Sequence, residues 1–489
     1  MQLALIIIYG GFLLFIFMYS LVQLNLAISY SKYKKNGCKE LPTVPDKGDW
    51  PMVTVQLPVF NELYVVERLI DCVCLLDYPQ DRMEIQVLDD STDESFEVAT
   101  KCVEKWQKKG LNIVQIKRPE RKGFKAGALA YGMKSAKGEF TAIFDADFLP
   151  RPEFLKTTIP YFLKDEGIGV VQTKWEHLNK NYSALTRMQA FGLDAHFTVE
   201  QMGRNRSGHF INFNGTAGVW RNECISDSGG WQSDTITEDL DLSYRAQLKG
   251  WRFQYLADFG SPAELPAEMN ALKSQQFRWT KGAAECAVKH LPNILRKNQL
   301  GFGTKLHALF HLMNSFIFIC VLCTAVLSIP MLLIKSNSPE YNVLFNFASL
   351  FLLSFLILGY FYWLSHETKY KYKFLDFVKQ FPLFLSVSMG LSLHNSIAVV
   401  EGYIGKKSPF VRTPKFAIDN KQGSWNDKKY RVLRVNPLTF VEGVLTLYFA
   451  SGLVMAFLIE DFALLPFHLM LTMGYGYVFY YSLKHSRIA

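Results

Sequence analysis

Long apolar runs and short alternating runs divide this chain into two kinds of territory. Leu3 to Tyr30 is almost uninterrupted apolar sequence, longer than the roughly 20 residues a helix needs to cross a bilayer. Further runs of that kind fall at His307–Ile334, Val343–Leu364, Leu438–Ile459 and Phe462–Leu483. Another, Phe374–Tyr403, is interrupted by Asp376, Lys379, Pro382, His394, Asn395 and Glu401. It is expected to lie along the membrane surface as an amphipathic helix rather than to cross. Between residues 31 and 305 the pattern changes. Val53–Leu57, Ile85–Leu88, Asn112–Ile116 and Phe140–Phe144 read as strands, with helical patterns over Val65–Leu76 and from Asp93 to about Lys109. That alternation predicts an α/β domain with a mainly parallel central sheet covered by helices. Ligands of such sheets sit at the carboxyl ends of the strands.

The expected order is therefore a transmembrane helix over 1–30 and a cytosolic α/β domain over 31–305. Two transmembrane helices follow over 306–365, an interfacial helix and a loop over 366–437, and two more spans with a short tail over 438–489. Charge sets the direction. Lys32, Lys34 and Lys35 follow the first run and place that side in the cytosol. No basic segment precedes the run, and it is too long for a signal peptide. Lys406, Lys407, Arg412, Lys415, Lys421, Lys428, Lys429, Arg431 and Arg434 follow Phe374–Tyr403. They stay inside only if that segment does not cross, which gives five spans and one interfacial helix.

The net charge of +9 is then membrane flank rather than a nucleic-acid surface. A hydrophobic fraction of 49% suits a soluble domain joined to a membrane region. The eight cysteines form neither a disulfide framework nor a zinc pattern and read as reduced, buried thiols. No G-x-G-x-x-G follows the first strand and no P-loop is present, which argues against a dinucleotide enzyme or an ATPase.

Candidate chemistry lies in four short signatures. Asp145-Ala146-Asp147 follows a strand run and offers two hard oxygen ligands, suited to Mg²⁺ or Mn²⁺ beside substrate phosphates. Asp89-Asp90 follows another strand; an Asx turn or a helix cap from Ser91 or Asp93 is the bland alternative. Thr237-Glu238-Asp239 opens a helical pattern, where it is either a cap with acids in the first turn or the seat of a general base, Asp239. Gln275, Arg278 and Trp279 share one helix face. Arg suits a diphosphate and Trp a sugar ring, but both are also common membrane-interface anchors. Arg121 to Gly127 is a basic, glycine-bearing loop that contacts phosphate or is simply a solvated turn. Trp175, the Phe213–Thr216 stretch and Trp220 are either a sugar surface or core.

The ordered set Asp90, Asp145-x-Asp147, Thr237-Glu238-Asp239 and Gln275-x-x-Arg278-Trp279 resembles the processive members of glycosyltransferase family 2, which include cellulose, hyaluronan and chitin synthases. The stretches Val87–Asp93 and Phe213–Arg221 look nearest to plant cellulose-synthase-like mannan and glucan synthases. The resemblance implies a GT-A-like fold and a role for each position. Pro58, Asn61 and Glu62 would touch the nucleotide base, Asp90 the nucleoside, and Lys125 the donor through the family's K-A-G loop. Asp145 and Asp147 would hold the metal and diphosphate, and Asp239 would be the catalytic base. Gln275, Arg278 and Trp279 would hold the acceptor terminus and diphosphate. Phe410 to Lys415 resembles a gating loop that closes on nucleotide through Thr413 and Lys415. Arg412 stands where the family often has Val, and Asn214 where cellulose synthases usually have Cys.

The implied activity is inverting, processive β-glycan synthesis from UDP-glucose or GDP-mannose, with the polymer passed through the membrane. The partners are the nucleotide sugar, the growing polysaccharide and the bilayer, at a plasma or Golgi membrane, with no nucleic acid and unknown export partners. Transfer of one sugar to a lipid acceptor is the rival reading; a transporter or scaffold carrying a degenerate domain is a third.

Overall fold

The computed structural model describes residues 1–36, 50–369, 374–408, 411–419, 423–425, 428–431 and 435–487; Phe410, Lys421 and Arg434 lie outside them. At its centre is a seven-stranded sheet made of β1 (Val53–Val59), β2 (Met83–Asp89), β3 (Ile113–Ile116), β4 (Phe140–Ile143), β5 (Ile168–His177), β6 (Gly218–Arg221) and β7 (Arg252–Ala263). The order is β3-β2-β1-β4-β6-β5-β7. β6 alone runs against its neighbours; the other pairings are parallel. This is the mixed, mainly parallel α/β sheet that the alternation anticipates.

Both faces of β1 and β2 are covered, so their polar residues must pair within the sheet. Thr54 Oγ1 donates to Glu84 at 2.6 Å and Gln56 Nε2 to Gln86 at 3.0 Å across the two strands. The parallel register places Val59 opposite Asp89, so the loops after both strands leave from the same edge. β4 ends one residue before Phe144, and Asp145 follows it onto that edge. The flanking helices bury regular stripes, for example Ala99, Cys102, Val103 and Trp106 on the Ser95–Gln107 helix. The described cysteines are all free thiols.

Among the described residues, four helices are long and apolar enough to cross a membrane, Gln2–Lys35, Phe316–Asn337, the broken run Pro339–Thr368 and Leu438–Leu458, and a fifth span is present if the bent pair Phe374–Gly390 and Ser392–Tyr403 counts as one. The span expected from His307 begins instead at Phe316, because a separate helix, Phe302–Leu312, ends before it. The Phe374–Tyr403 segment is two helices, Phe374–Gly390 and Ser392–Tyr403, bent by 51°. A Cβ on Gly390 would lie 2.3 Å from the Gly474 carbonyl oxygen, so the bend sits where two backbones touch. The last helix, Leu465–Arg487, packs against Leu438–Leu458 but carries Tyr, His and Gly positions and is less apolar than the four.

Candidate active site

One cavity of about 220 Å³ opens along the carboxyl edge of the sheet. Its wall includes Pro58, Glu62, Asp90, Lys125, Asp145 and Asp147 from the strand-end loops, and Asp239 from the Glu238–Leu248 helix. Gln275, Arg278 and Trp279 reach it from the Met269–Arg296 helix, and Thr413 and Lys415 from the loop after the bent helix pair. Of the residues singled out from sequence, Asn61 does not line it. Asn61 has φ of 55°, and its Oδ1 accepts from the Thr92 amide at 2.9 Å. It clips the β1 loop to the β2 loop instead of facing the cavity.

The two neighbouring aspartates after β2 divide their work. Asp89 is fully buried and accepts from the Ser91 amide and from Gln115 Nε2, both at 2.8 Å; it is the Asx turn. Asp90 faces the cavity and is held by Arg118 in a fork, with Nε at 2.7 Å and Nη2 at 2.5 Å. Arg121 lies 3.9 Å from Asp90 and stacks on Phe60, its guanidinium carbon 3.4 Å from the ring centre. The basic loop is therefore part of the wall rather than a solvated turn.

Cations meet the Asp145-x-Asp147 pair from two sides. Lys125 Nζ bonds Asp145 and donates to the Gly215 carbonyl at 2.8 Å. Lys415 Nζ donates to Asp147 Oδ2 at 2.7 Å and to the Glu264 carbonyl at 2.5 Å. The Asp145 amide donates to Thr216 Oγ1 at 2.9 Å, which fixes the turn after β4 to the Asn214–Thr216 loop. Arg278 Nη2 donates to Thr413 Oγ1 at 2.7 Å, and Arg412 Nη1 pairs with Glu62 at 2.7 Å. The loop from 411 to 415 is thus drawn onto the cavity by ion pairs and hydrogen bonds. Burial pushes the Glu62 carboxyl up to about 7, with Arg412 opposing the rise.

Asp239 begins the helix whose first turn also holds Glu238 and Asp241. Thr237 is the N-cap position but makes no capping bond with its side chain, so the plain capping reading does not account for this triplet. Burial raises the Asp239 carboxyl to about 7; neighbouring Glu238 adds to the rise and Lys125 opposes it. Burial raises Glu238 as well. Asp241 turns away from the cavity, fully buried, and accepts from His290 at 2.8 Å, Lys289 at 2.7 Å and Arg245 at 2.8 Å. His290 and Lys289 belong to the Met269–Arg296 helix, so this cluster sets the Asp239 helix against the helix carrying Gln275, Arg278 and Trp279.

Trp279 lies beside Trp175 on β5, ring centres 6.4 Å apart, and Trp175 packs on Phe148 and Phe197 at 5.1 and 4.9 Å. Trp220 is fully buried and belongs to the core. Glu264, just past β7, was missed by sequence reading. It is 3% exposed and its Oε1 accepts from the Phe416 amide at 2.9 Å, anchoring the loop behind Lys415. An acid between prolines after a strand was the available signal. Arg118 was missed because a lone arginine after a short strand has no pattern.

Carboxylates of several loops on one sheet edge, with an arginine, lysines and paired tryptophans, line one cavity of a GT-A-like domain flanked by apolar helices. The family described as "Glycosyltransferase like family 2" matches residues 51–282. Glucomannan 4-beta-mannosyltransferase 1 of Oryza sativa subsp. japonica is 37% identical over 423 residues, covering 82% of this chain and 77% of that protein. Glucomannan 4-beta-mannosyltransferase 7 of Arabidopsis thaliana is 40% identical over 297 residues; there the match spans 58% of this chain and about half, 53%, of the relative. The solved mannosyltransferase PcManGT from Pyrobaculum calidifontis, in complex with GDP-Man and Mn2+, shares the fold with a TM-score of 0.55 at 20% identity, over 83% of this chain and 100% of that one. This chain belongs to glycosyltransferase family 2, as a hexosyltransferase of the cellulose-synthase-like type.

Proposed function

We propose that the chain is a membrane-bound, inverting β-glycosyltransferase that elongates a β-1,4-linked mannan-type polysaccharide from GDP-mannose, with its catalytic domain on the cytosolic side. One observation carries the reading: Asp90, Asp145, Asp147, Asp239 and the Gln275/Arg278/Trp279 face, far apart in sequence, line a single cavity. The names of the curated relatives support mannose as the sugar. The basic flank Lys32, Lys34 and Lys35 supports the cytosolic side, and a Golgi or plasma membrane is part of the proposal. Movement of the polymer through the membrane belongs to the same proposal.

The donor set suits a hard divalent cation. Asp145 and Asp147 both face the cavity, and among the described residues no three His, Cys, Asp or Glu side chains converge as a self-sufficient cage. Two carboxylates completed by substrate phosphates are what Mg²⁺ or Mn²⁺ commonly uses. When bound, such an ion would offset charge on the departing nucleoside diphosphate.

The chain's own groups do the rest. Asp90 and its arginine fork orient the nucleoside. Ionised Asp239 accepts the proton of the acceptor hydroxyl as that oxygen attacks the anomeric carbon, and the bond to the diphosphate breaks on the opposite face, which inverts the centre. A carboxyl poised near neutrality is a better base than one near 4. Arg278 and Lys415 stabilise the leaving diphosphate, and Trp279 with Trp175 gives the acceptor sugar an apolar face. Closure of the loop from 411 to 415 excludes water that would otherwise hydrolyse the donor.

The test is product analysis with labelled GDP-mannose and UDP-glucose on purified protein in nanodiscs. A long product from GDP-mannose, cut by β-1,4-mannanase, is expected. A single-sugar glycolipid would replace polymer synthesis with lipid glycosylation, and a polymer made only from UDP-glucose would move the donor assignment.

A further inference from the structure

A second cavity, of about 190 Å³, lies where the Ala184–Ala195 helix meets the helices Leu353–Lys369 and Phe374–Gly390. Its position matters first. The Leu353–Lys369 helix is the end of a run apolar enough to cross a membrane, and the cavity opens beside its last two turns, through Tyr362, Ser365 and His366. It therefore sits at the depth of lipid headgroups on the side of the catalytic domain.

Its wall carries both signs of charge. Arg187 is exposed and has no ion-pair partner among the described residues. Asp376 lines the cavity from the Phe374–Gly390 helix, accepting from Gln380 at 2.6 Å and lying 3.7 Å from His366. Tyr362, also on the wall, is held in place by stacking on Phe191, centres 5.4 Å apart at 11°, and by Phe384 at 4.9 Å. Ser365 and His366 are 2% and 4% exposed, so the floor is polar and buried. Directly beside Asp376 the surface turns apolar: Phe374, Leu375 and Val378 are 60%, 76% and 47% exposed. A charged hole bordered by an apolar strip matches an amphipathic ligand whose head carries both a phosphate and an ammonium.

We infer that this cavity binds the headgroup of a zwitterionic glycerophospholipid of the phosphatidylethanolamine type. Its phosphate meets Arg187, its ammonium meets Asp376, and its acyl chains lie along Phe374, Leu375 and Val378. Arginine forks favour phosphate oxygens, and an ammonium beside a carboxylate makes a charge-assisted hydrogen bond. Asp194, on the cavity wall, lies 3.3 Å from His177, which lines the sugar-transfer cavity. The two cavities thus meet at the Asp194–His177 contact. The inference rests on the membrane placement in the proposed function, not on the donor or product.

Native mass spectrometry of the full chain, released from bilayers equimolar in phosphatidylethanolamine and phosphatidylglycerol, tests it. The wild type should retain the ethanolamine lipid at least fivefold over the glycerol lipid. Arg187→Gln and Asp376→Asn, each checked for monodisperse elution and retained sugar transfer, should each lower that retention at least fivefold. Millimolar glycerophosphoethanolamine, which lacks acyl chains, should displace little of it. Equal retention by the variants, equal retention of both lipids, or complete displacement by the soluble headgroup would each overturn the assignment. Sugar transfer is read separately, so loss of lipid binding with intact polymer synthesis counts against this site alone.

Discussion

Consider the substitution Asp239→Asn. The folded chain raises this carboxyl from 3.8 to about 7, chiefly by burial, with Glu238 adding to the rise. Folding therefore costs free energy whenever the group must ionise. Each unit is worth about 1.36 kcal/mol, so a rise of roughly three units corresponds to about 4 kcal/mol. Asparagine removes that cost. It also leaves Lys125 with one fewer carboxylate nearby, which takes back part of the gain, so a net stabilisation of about 2 kcal/mol is expected. For a domain of this size that is roughly 4–8 °C in apparent Tm. The pH dependence has a definite sign. The folded carboxyl holds its proton more tightly than the unfolded one. Its stabilising contribution is full below about pH 4, declines as pH rises, and is gone above about 7. Asparagine does not titrate. The variant and the wild type should therefore unfold together near pH 4 and separate as pH approaches 8. Thermal unfolding in nanodiscs, followed by tryptophan fluorescence at pH 4.5 and 8, reads this directly. A gap that does not change with pH, or a wild type more stable at pH 8, would refute a buried, proton-holding Asp239.

Other outcomes follow from the same geometry. kcat/KM should rise with pH through about 7 as Asp239 ionises, and a pH-rate profile without that ascending limb would remove it as the base. Arg278→Ala should lower kcat by roughly 10²–10³-fold with donor binding largely kept, measured by initial rates against donor titration. Lys415→Met breaks the bonds to Asp147 and the Glu264 carbonyl, so the loop should become more open to limited proteolysis and donor KM should rise. Gly215→Ala places a Cβ 3.0 Å from Asp239 Oδ2 at a φ of +79°; strain of about 1–3 kcal/mol and a lowered kcat are expected, checked by unfolding and rate together. Chelation of divalent cations should stop transfer, and added Mn²⁺ or Mg²⁺ should restore it.

The parallel half of the sheet was legible because β1 to β4 are apolar runs separated by clear helical patterns. The strand-end positions of Asp90 and Asp147 followed from those runs alone. β5 to β7 were not read. β6 is only four residues long, and it follows a turn in which Gly215 and Ala217 have positive φ. β7 pairs with β5 through register shifts and includes Gly260 and Pro262, so its alternation is broken. Glu264 was lost with β7. The bend at Gly390 depends on contact with Gly474 in a distant helix, and no local pattern announces it. The Gln275, Arg278 and Trp279 face was readable because helical spacing alone puts the three together. Asn61 stands apart from its neighbours Pro58 and Glu62, which face the cavity, because its own backbone turns left-handed and its side chain bonds Thr92, and no sequence pattern announces that turn.

The central claim is that one cavity joins a nucleotide sugar to an acceptor through Asp239. Its most direct test is incorporation of labelled mannose from GDP-mannose by the wild type and by Asp239→Asn, side by side in nanodiscs, with donor binding measured on both. The expected result is polymer from the wild type, none from the variant, and equal donor affinity within a few-fold. Comparable polymer from the variant, or no sugar transferred by the wild type from any nucleotide donor, would contradict it.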